Sequence, residues 1–263
     1  MSKTIGILSL KGGVGKTSSA IALGDAISGF GKKVLIVDGN FSAPNVGAHL
    51  NVINPRVTLH DVLSRKANVK DAIYGLDNFD IMPSSVFHHT RPNFLELKDK
   101  IKPLRKIYDA IVIDSSPALN EETLSVMLAS DQILVVTTPD VPSLSTTMKA
   151  VKLARQRDAP IIGIIINKAN NKSFDLSIKD VEETVGVPVL AVIPYEAGFQ
   201  KSLSKFSPHT SSSPNSKASK EFRKLAGVLI GEKYKPFDLR NVLGLPPKRD
   251  EINREIFYDR VFG

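Results

Sequence analysis

The stretch SLKGGVGKTS, residues 9 to 18, packs three glycines, two lysines and three hydroxyl side chains into ten positions. Glycines let a backbone turn consecutive N–H groups toward one point, and a helix N-terminus placed there adds partial positive charge. That combination suits phosphate. Lys16 has the reach to meet β- and γ-phosphates, and the Thr17 hydroxyl is a ligand type for Mg²⁺, with Gly12, Gly13, Val14, Gly15 and Ser18 completing the cradle. The strict G-x-x-x-x-G-K-[ST] pattern has glycine where Leu10 stands, and it needs only one lysine. The purpose of Lys11 is therefore a separate question.

Other candidate chemistry lies at the ends of apolar runs. Asp38 closes VLIVD, Asp114 closes AIVID and Asn167 closes GIIIN. There is no cysteine, which removes disulfides, thiolate zinc sites, cysteine-ligated iron–sulfur clusters and a cysteine nucleophile together. The five histidines, His88-His89 included, lack partners at ligand spacing and read as surface-loop residues.

Positioning these groups requires a particular scaffold. The runs at 4–10, 33–38, 78–84, 109–115, 132–138, 161–167 and 187–194 are almost continuously apolar, as strands buried on both faces should be. Between them lie segments with helical spacing. Ala20, Leu23, Ile27 and Phe30 mark an amphipathic helix ending near Gly31, Asn120 is placed to cap a helix beginning EETLSV, and Ser143 to cap one beginning LSTTMK. The expected fold is α/β, a three-layer, mostly parallel twisted β-sheet flanked by helices on both faces, with ligands beyond the carboxyl ends of the strands. Residues 204–219, rich in Ser and Pro, read as a surface loop before a last helix. The expected organisation is one phosphate-binding domain over 1–231 and a C-terminal appendage over 232–263. No apolar run approaches the ~20 residues of a membrane span, and the N-terminus lacks a signal-peptide pattern, so the expected compartment is cytoplasmic.

KGGVGKT is the deviant phosphate-loop motif of the MinD/ParA family of ATPases. The resemblance continues through VLIVDGNFSAPNVG, YDAIVIDSSPAL, TTPDVPSLSTTMKAVKLA, GIIINKA and VPVLAVIPYEAGFQKSL. It implies a P-loop ATPase using ATP and Mg²⁺, whose ATP state is a homodimer sandwiching two nucleotides. Lys11 would then cross the interface to the partner's phosphates. Asp38 and Asp114 would face the metal's water shell, Asn167 would read the adenine, and Pro194, Tyr195 and Glu196 would line base and ribose. With Lys11, Lys16 and Asp38, the family pattern places a second switch acid at the reacting phosphate. Here that position is Asn40, and an amide cannot take up a proton as a general base. Two outcomes follow: slow hydrolysis with Asn40 orienting water, or a scaffold that binds ATP and rarely turns over.

Charge bears on what such a switch acts upon. The net charge is +8, and residues 197–263 carry 13 Lys/Arg against 7 Asp/Glu. In the last regular helix Phe222, Leu225, Ala226 and Leu229 share one side, with Lys217, Lys220 and Lys224 opposite. Such a stripe fits nonspecific DNA, which would make the protein nucleoid-associated. The tail RDEINREIFYDRVFG scatters its apolar residues and carries three basic and four acidic groups, a poor peripheral membrane anchor and a better protein-docking or dimer-packing segment. The cargo or protein activator has no signature in the sequence. Bacterial tyrosine kinases and small-molecule ligases of similar fold fit less well.

Overall fold

The computed structural model describes residues 2–87, 92–170, 175–234 and Tyr258. The His88-His89 pair and the tail's Ile252, Ile256, Phe257, Val261 and Phe262 lie outside the described residues. Among the described residues, eight strands form one sheet in the order β3-β4-β2-β5-β1-β6-β7-β8. They are β1 (Lys3–Leu8), β2 (Val34–Gly39), β3 (Tyr74–Gly75), β4 (Asp80–Met82), β5 (Ala110–Ser115), β6 (Gln132–Thr137), β7 (Ile161–Ala169) and β8 (Val189–Pro194). All pairings are parallel except the antiparallel β3–β4 pair at one edge. Each apolar run contains a strand. The two-residue β3 was not anticipated, because so short a segment has no periodicity to read.

Strand side chains alternate between two cores, which is why both faces had to be apolar. Ile5, Ile7, Ile36, Val112, Leu134 and Ile165 enter one core with α1 (Lys16–Ser28) and, late in the chain, α10 (Lys217–Ile230). Leu8, Val37, Ile113, Val135 and Ile166 enter the other with Leu59 of α3 (Leu59–Leu63), Leu97 of α4 (Leu97–Ile101), Val126 of α5 (Glu121–Ala129), Ala150 of α6 (Val141–Gln156) and Val181 of α7 (Ile178–Val185). Helices thus cover both faces. Between β2 and α3 lies the one-turn α2 (Val46–His49), and after β8 come α8 (Gly198–Ser204) and α9 (His209–Ser212).

The caps follow the sequence in one case and correct it in another. Asn120 accepts from the Glu122 and Thr123 amides and opens α5. The cap of α6 is Asp140 rather than Ser143: Asp140 accepts from the Ser143 amide, and Pro142 sits in the first turn. The 204–219 segment is also more than a surface loop, since it contains α9 with His209 and Thr210 buried. His60 is buried too, so at least two histidines belong to the packed interior and not to exposed loops.

Candidate functional site

β1 lies between β5 and β6, while the chain moves from β1 toward β2 on one side and from β6 toward β8 on the other. The crevice beyond its carboxyl end is the topological switch point. Ser9–Gly15 fills it. Gly13 and Gly15 have φ of 77° and 89°, a left-handed conformation that glycine adopts without penalty, and Lys16 then begins α1. Two side chains pin the loop: Asn167 Nδ2 donates to the Val14 carbonyl at 2.7 Å and Lys168 Nζ to the Gly13 carbonyl at 2.7 Å. Lys168 was not foreseen, because its contact joins positions 155 residues apart and has no local pattern.

Parallel pairing of β2 with β5 sets Asp38 opposite Asp114 in register, and both are fully buried. Lys16, itself buried, reaches Asp114 Oδ1 at 2.6 Å, and the Thr17 hydroxyl donates to Asp114 Oδ2 at 2.6 Å. Asp38 accepts from three amides, Asn40 at 3.2 Å and Asn45 and Val46 at 2.9 Å. Burial and the adjacent Asp114 nevertheless push its carboxyl up to about 7. Two buried carboxylates and a threonine hydroxyl are a hard oxygen donor set. Among the described residues no group of three or more His, Asp or Glu is arranged to hold a metal. The oxygen donors of Thr17, Asp38 and Asp114 are of the type Mg²⁺ takes, beside waters and phosphates.

Asn40 is buried on the wall of the same cavity. Its Nδ2 donates to the Ala43 carbonyl, while its Oδ1 is buried without a hydrogen-bond partner. The neighbouring Ser42 hydroxyl donates to Glu122, whose second carboxylate oxygen is also buried and unpartnered.

Lys11 faces away from Asp114. Its ammonium donates to Ser143 Oγ at 2.6 Å and to Asp140 Oδ1 at 3.1 Å, at the start of α6. Partial burial opposes ionisation of Asp140, but bonds from Thr138, Ser143 and Lys11 prevail and hold its carboxyl at about 2. The pair is half exposed, 37% and 43% at the side chains, so it contributes at most about 1 kcal/mol.

A cavity of about 420 Å³ runs from Lys11–Ser18 past Asn40 and Asn167 to Pro194, Tyr195, Glu196 and Phe199. It joins the predicted phosphate, switch and base residues in one space. Glu196 lies on its wall with its carboxylate engaged elsewhere, at His209 Nε2 (3.0 Å) and the Ala218 amide (3.1 Å). Lys217, Lys220 and Lys224 lie on α10, outside this cavity. Lys217 is exposed, and Lys224 is paired with Glu221 at 3.2 Å.

Comparison with known proteins gives this geometry a family. A model described as an AAA domain matches residues 2–161, and one named ParA and described as NUBPL iron-transfer P-loop NTPase matches 105–230. An uncharacterized ATP-binding protein of Methanocaldococcus jannaschii is 33% identical over 239 residues, covering 89% of this chain and 90% of the relative. The cell division ATPase MinD of Pyrococcus furiosus superposes with a TM-score of 0.81 at 35% identity, covering 86% of this chain and 97% of that one. The septum site-determining protein MinD of Pyrococcus horikoshii, solved with Mg-ADP, gives 0.82 at 33% identity, with 87% and 96% covered. With its two-lysine loop, its register-paired aspartates and these relatives, the chain belongs to the MinD/ParA family of P-loop ATPases.

Proposed function

We propose that the protein is an ATP-driven dimerisation switch that hydrolyses slowly and serves intracellular positioning. One observation carries this reading: the two lysines of one loop face different acids. Lys16 is buried against Asp114 inside the cavity, and Lys11 is held at the rim by Asp140 and Ser143. Lys16 holds the phosphates of its own nucleotide. Lys11 leaves a weak surface pair to reach the phosphates of a second copy, where a triphosphate repays the desolvation of a cation. Leu119 and Val141, 61% and 67% exposed, lie in sequence beside cavity-lining Pro117 and Lys11's partner Asp140 and suit a packing surface for that copy.

In the reaction, water forms a bond to the γ-phosphorus as the bridging P–O bond breaks, ADP leaves with that bridging oxygen, and both protons of the water go with the inorganic phosphate as dihydrogen phosphate. Asn40, on the cavity wall, orients that water, which suffices where the transition state is loose. Asn167 spends its NH₂ group on Val14, so its Oδ1 is the atom offered to an amine such as that of adenine. Thr17 directly, and Asp38 and Asp114 through water, would hold Mg²⁺, which would supply neutralising charge at the phosphates. Pro194, Tyr195 and Glu196 bound the base and ribose.

Turnover and particle mass test the switch. Lys11→Ala should bind ATP within about threefold of wild type, because the Lys11 ammonium is engaged by Asp140 and Ser143 and takes no part in the buried Lys16–Asp114 pair, yet stay monomeric with ATP. ATP-dependent dimers that persist without Lys11 sink its role across the interface. Asn40→Asp should turn over about tenfold faster or more, as expected when an acceptor of the attacking water gains charge. Equal rates mean that Asn40 does not set the step. Wild-type ATP dimers with no measurable turnover support the second reading, a non-cycling scaffold, which Asn40's lack of a titratable proton favours.

The surface proposed for the ATP dimer is nonspecific DNA, met by Lys217, Lys220 and Lys224 of α10. Its support is the helix geometry: Phe222, Leu225, Ala226 and Leu229 are fully buried, which turns the lysines outward. Binding should weaken steeply with salt. Flotation with liposomes and no DNA binding would reverse this choice in favour of a membrane-associated regulator. The ATPase domain is proposed to end at 231, just after α10 closes on Gly231, with 232–263 as a docking appendage. Tyr258, whose hydroxyl donates to the Leu190 carbonyl of β8, is the described contact that supports docking.

A further inference from the structure

We infer that His209 is a positioning residue for the base end of the nucleotide site and couples occupancy of that site to the start of α10. The inference rests on the ATP-binding reading above. His209 is 4% exposed, lies outside the phosphate loop and has no part in the chemistry so far described. Its ring stacks on Phe199, centroids 4.0 Å apart and 24° between planes. Phe199 in turn lines the 420 Å³ cavity beside Tyr195 and Glu196.

The imidazole's two nitrogens have different partners. Nε2 lies 3.0 Å from Glu196 Oε2 and 3.1 Å from Ser216 Oγ, and Nδ1 lies 3.1 Å from Ser202 Oγ. Glu196 Oε1 accepts from the Ala218 amide in the first turn of α10, and Ser216 is that helix's N-cap. One buried ring therefore touches the base loop through Glu196 and Phe199, and the lysine-bearing helix through Ser216. Gly198 belongs to the same device: a Cβ there would lie 2.7 Å from His209 Cε1, so the backbone of α8 can approach the ring only as glycine.

The physical consequence is a shared free energy. A base that settles against Tyr195 and Phe199 restricts the loop holding Glu196, and Glu196 is the acceptor that steadies the first turn of α10. By linkage, whatever orders α10 must then also tighten nucleotide binding. The pairing is specific in its chemistry: the ring stack sets the loop's distance, and the Nε2–carboxylate bond, a charge-assisted one, sets its direction.

Two substitutions separate these roles. His209→Phe keeps a ring on Phe199 and removes all three polar contacts, while His209→Gln keeps a donor for Glu196 and removes the ring. Loss of a charge-assisted bond predicts ATP binding about tenfold weaker in His209→Phe, with kcat at saturating ATP within about twofold and a smaller preference for ATP over GTP. His209→Gln should recover most of the affinity. Hydrogen exchange supplies a readout that a purely structural histidine would not move: a nonhydrolysable ATP analogue should slow exchange of the Ala218 amide in wild type and leave it unchanged in His209→Phe. If His209→Phe does not fold, Glu196→Gln is read in the same two assays and should show the same weakened binding and lost protection. ATP affinity within twofold of wild type in the folded variant, or Ala218 exchange indifferent to nucleotide in wild type, overturns the coupling. A wild-type protein that binds neither ATP nor the analogue overturns the ATP reading itself.

Discussion

Lys16→Ala should lose at least about a hundredfold in ATP affinity and show no turnover above background, the scale expected when a preorganised charge is removed from a dry phosphate site. The effect has two sources. Lys16 is the cation buried inside the cavity, 2.6 Å from Asp114. Its loss removes the group that meets phosphate, and it also leaves Asp38 and Asp114 facing each other in the interior with no cation beside them. Breaking a buried pair from one side costs about 3–5 kcal/mol. The variant should therefore melt at a lower temperature even without nucleotide. Lys11 provides the internal control: the same substitution five residues earlier removes only a half-exposed pair and should leave the melting temperature near wild type. Titration with a fluorescent ATP analogue, beside thermal melts of both variants, decides the matter. Near-normal binding by Lys16→Ala would remove the site from the phosphate loop altogether.

Gly15→Ala should be almost as damaging although it deletes no functional group. At φ of 89° an alanine costs of order 1–3 kcal/mol in strain. Its methyl would also stand 2.3 Å from Asn167 Nδ2, so the amide that pins Val14 must move. The loop then loses both its turn and its anchor at Asn167. ATP affinity should fall by about one to two orders of magnitude, as that strain energy converts to binding. The fold should survive, because no core side chain is touched. Isothermal titration alongside circular dichroism separates the two effects. Native-like ATP binding in Gly15→Ala would mean that the loop tolerates other backbone shapes and that its pinning by Asn167 has little energetic weight.

Much of this molecule was readable before its structure, for a physical reason. Parallel strands buried on both faces write themselves as continuous apolar runs, and a phosphate loop needs glycines and a lysine at fixed local spacing. Asp38, Asp114 and Asn167 were legible as strand ends. What escaped depends on contacts between distant parts of the chain. Lys168 meets Gly13, and Lys11 meets Ser143, across more than a hundred positions. His209 sits in a Ser- and Pro-rich stretch whose composition reads as exposed loop, yet Glu196, Phe199 and Ser202 close around it. The cap of α6 was misassigned because Asp140 and Ser143 are both good cap residues, and only the geometry at Pro142 separates them.

The central position of β1 has a consequence for how the protein comes apart. Flanked by β5 and β6 and covered on both faces, this strand cannot open its amides to exchange without disrupting the middle of the sheet. Elements at the margin, such as the two-residue β3, can open alone. The phosphate loop is thus tethered to the segment whose local opening should require nearly the full unfolding free energy. Denaturant should fray the edges first, and the capacity to grip a phosphate should persist until the cooperative collapse of the whole domain.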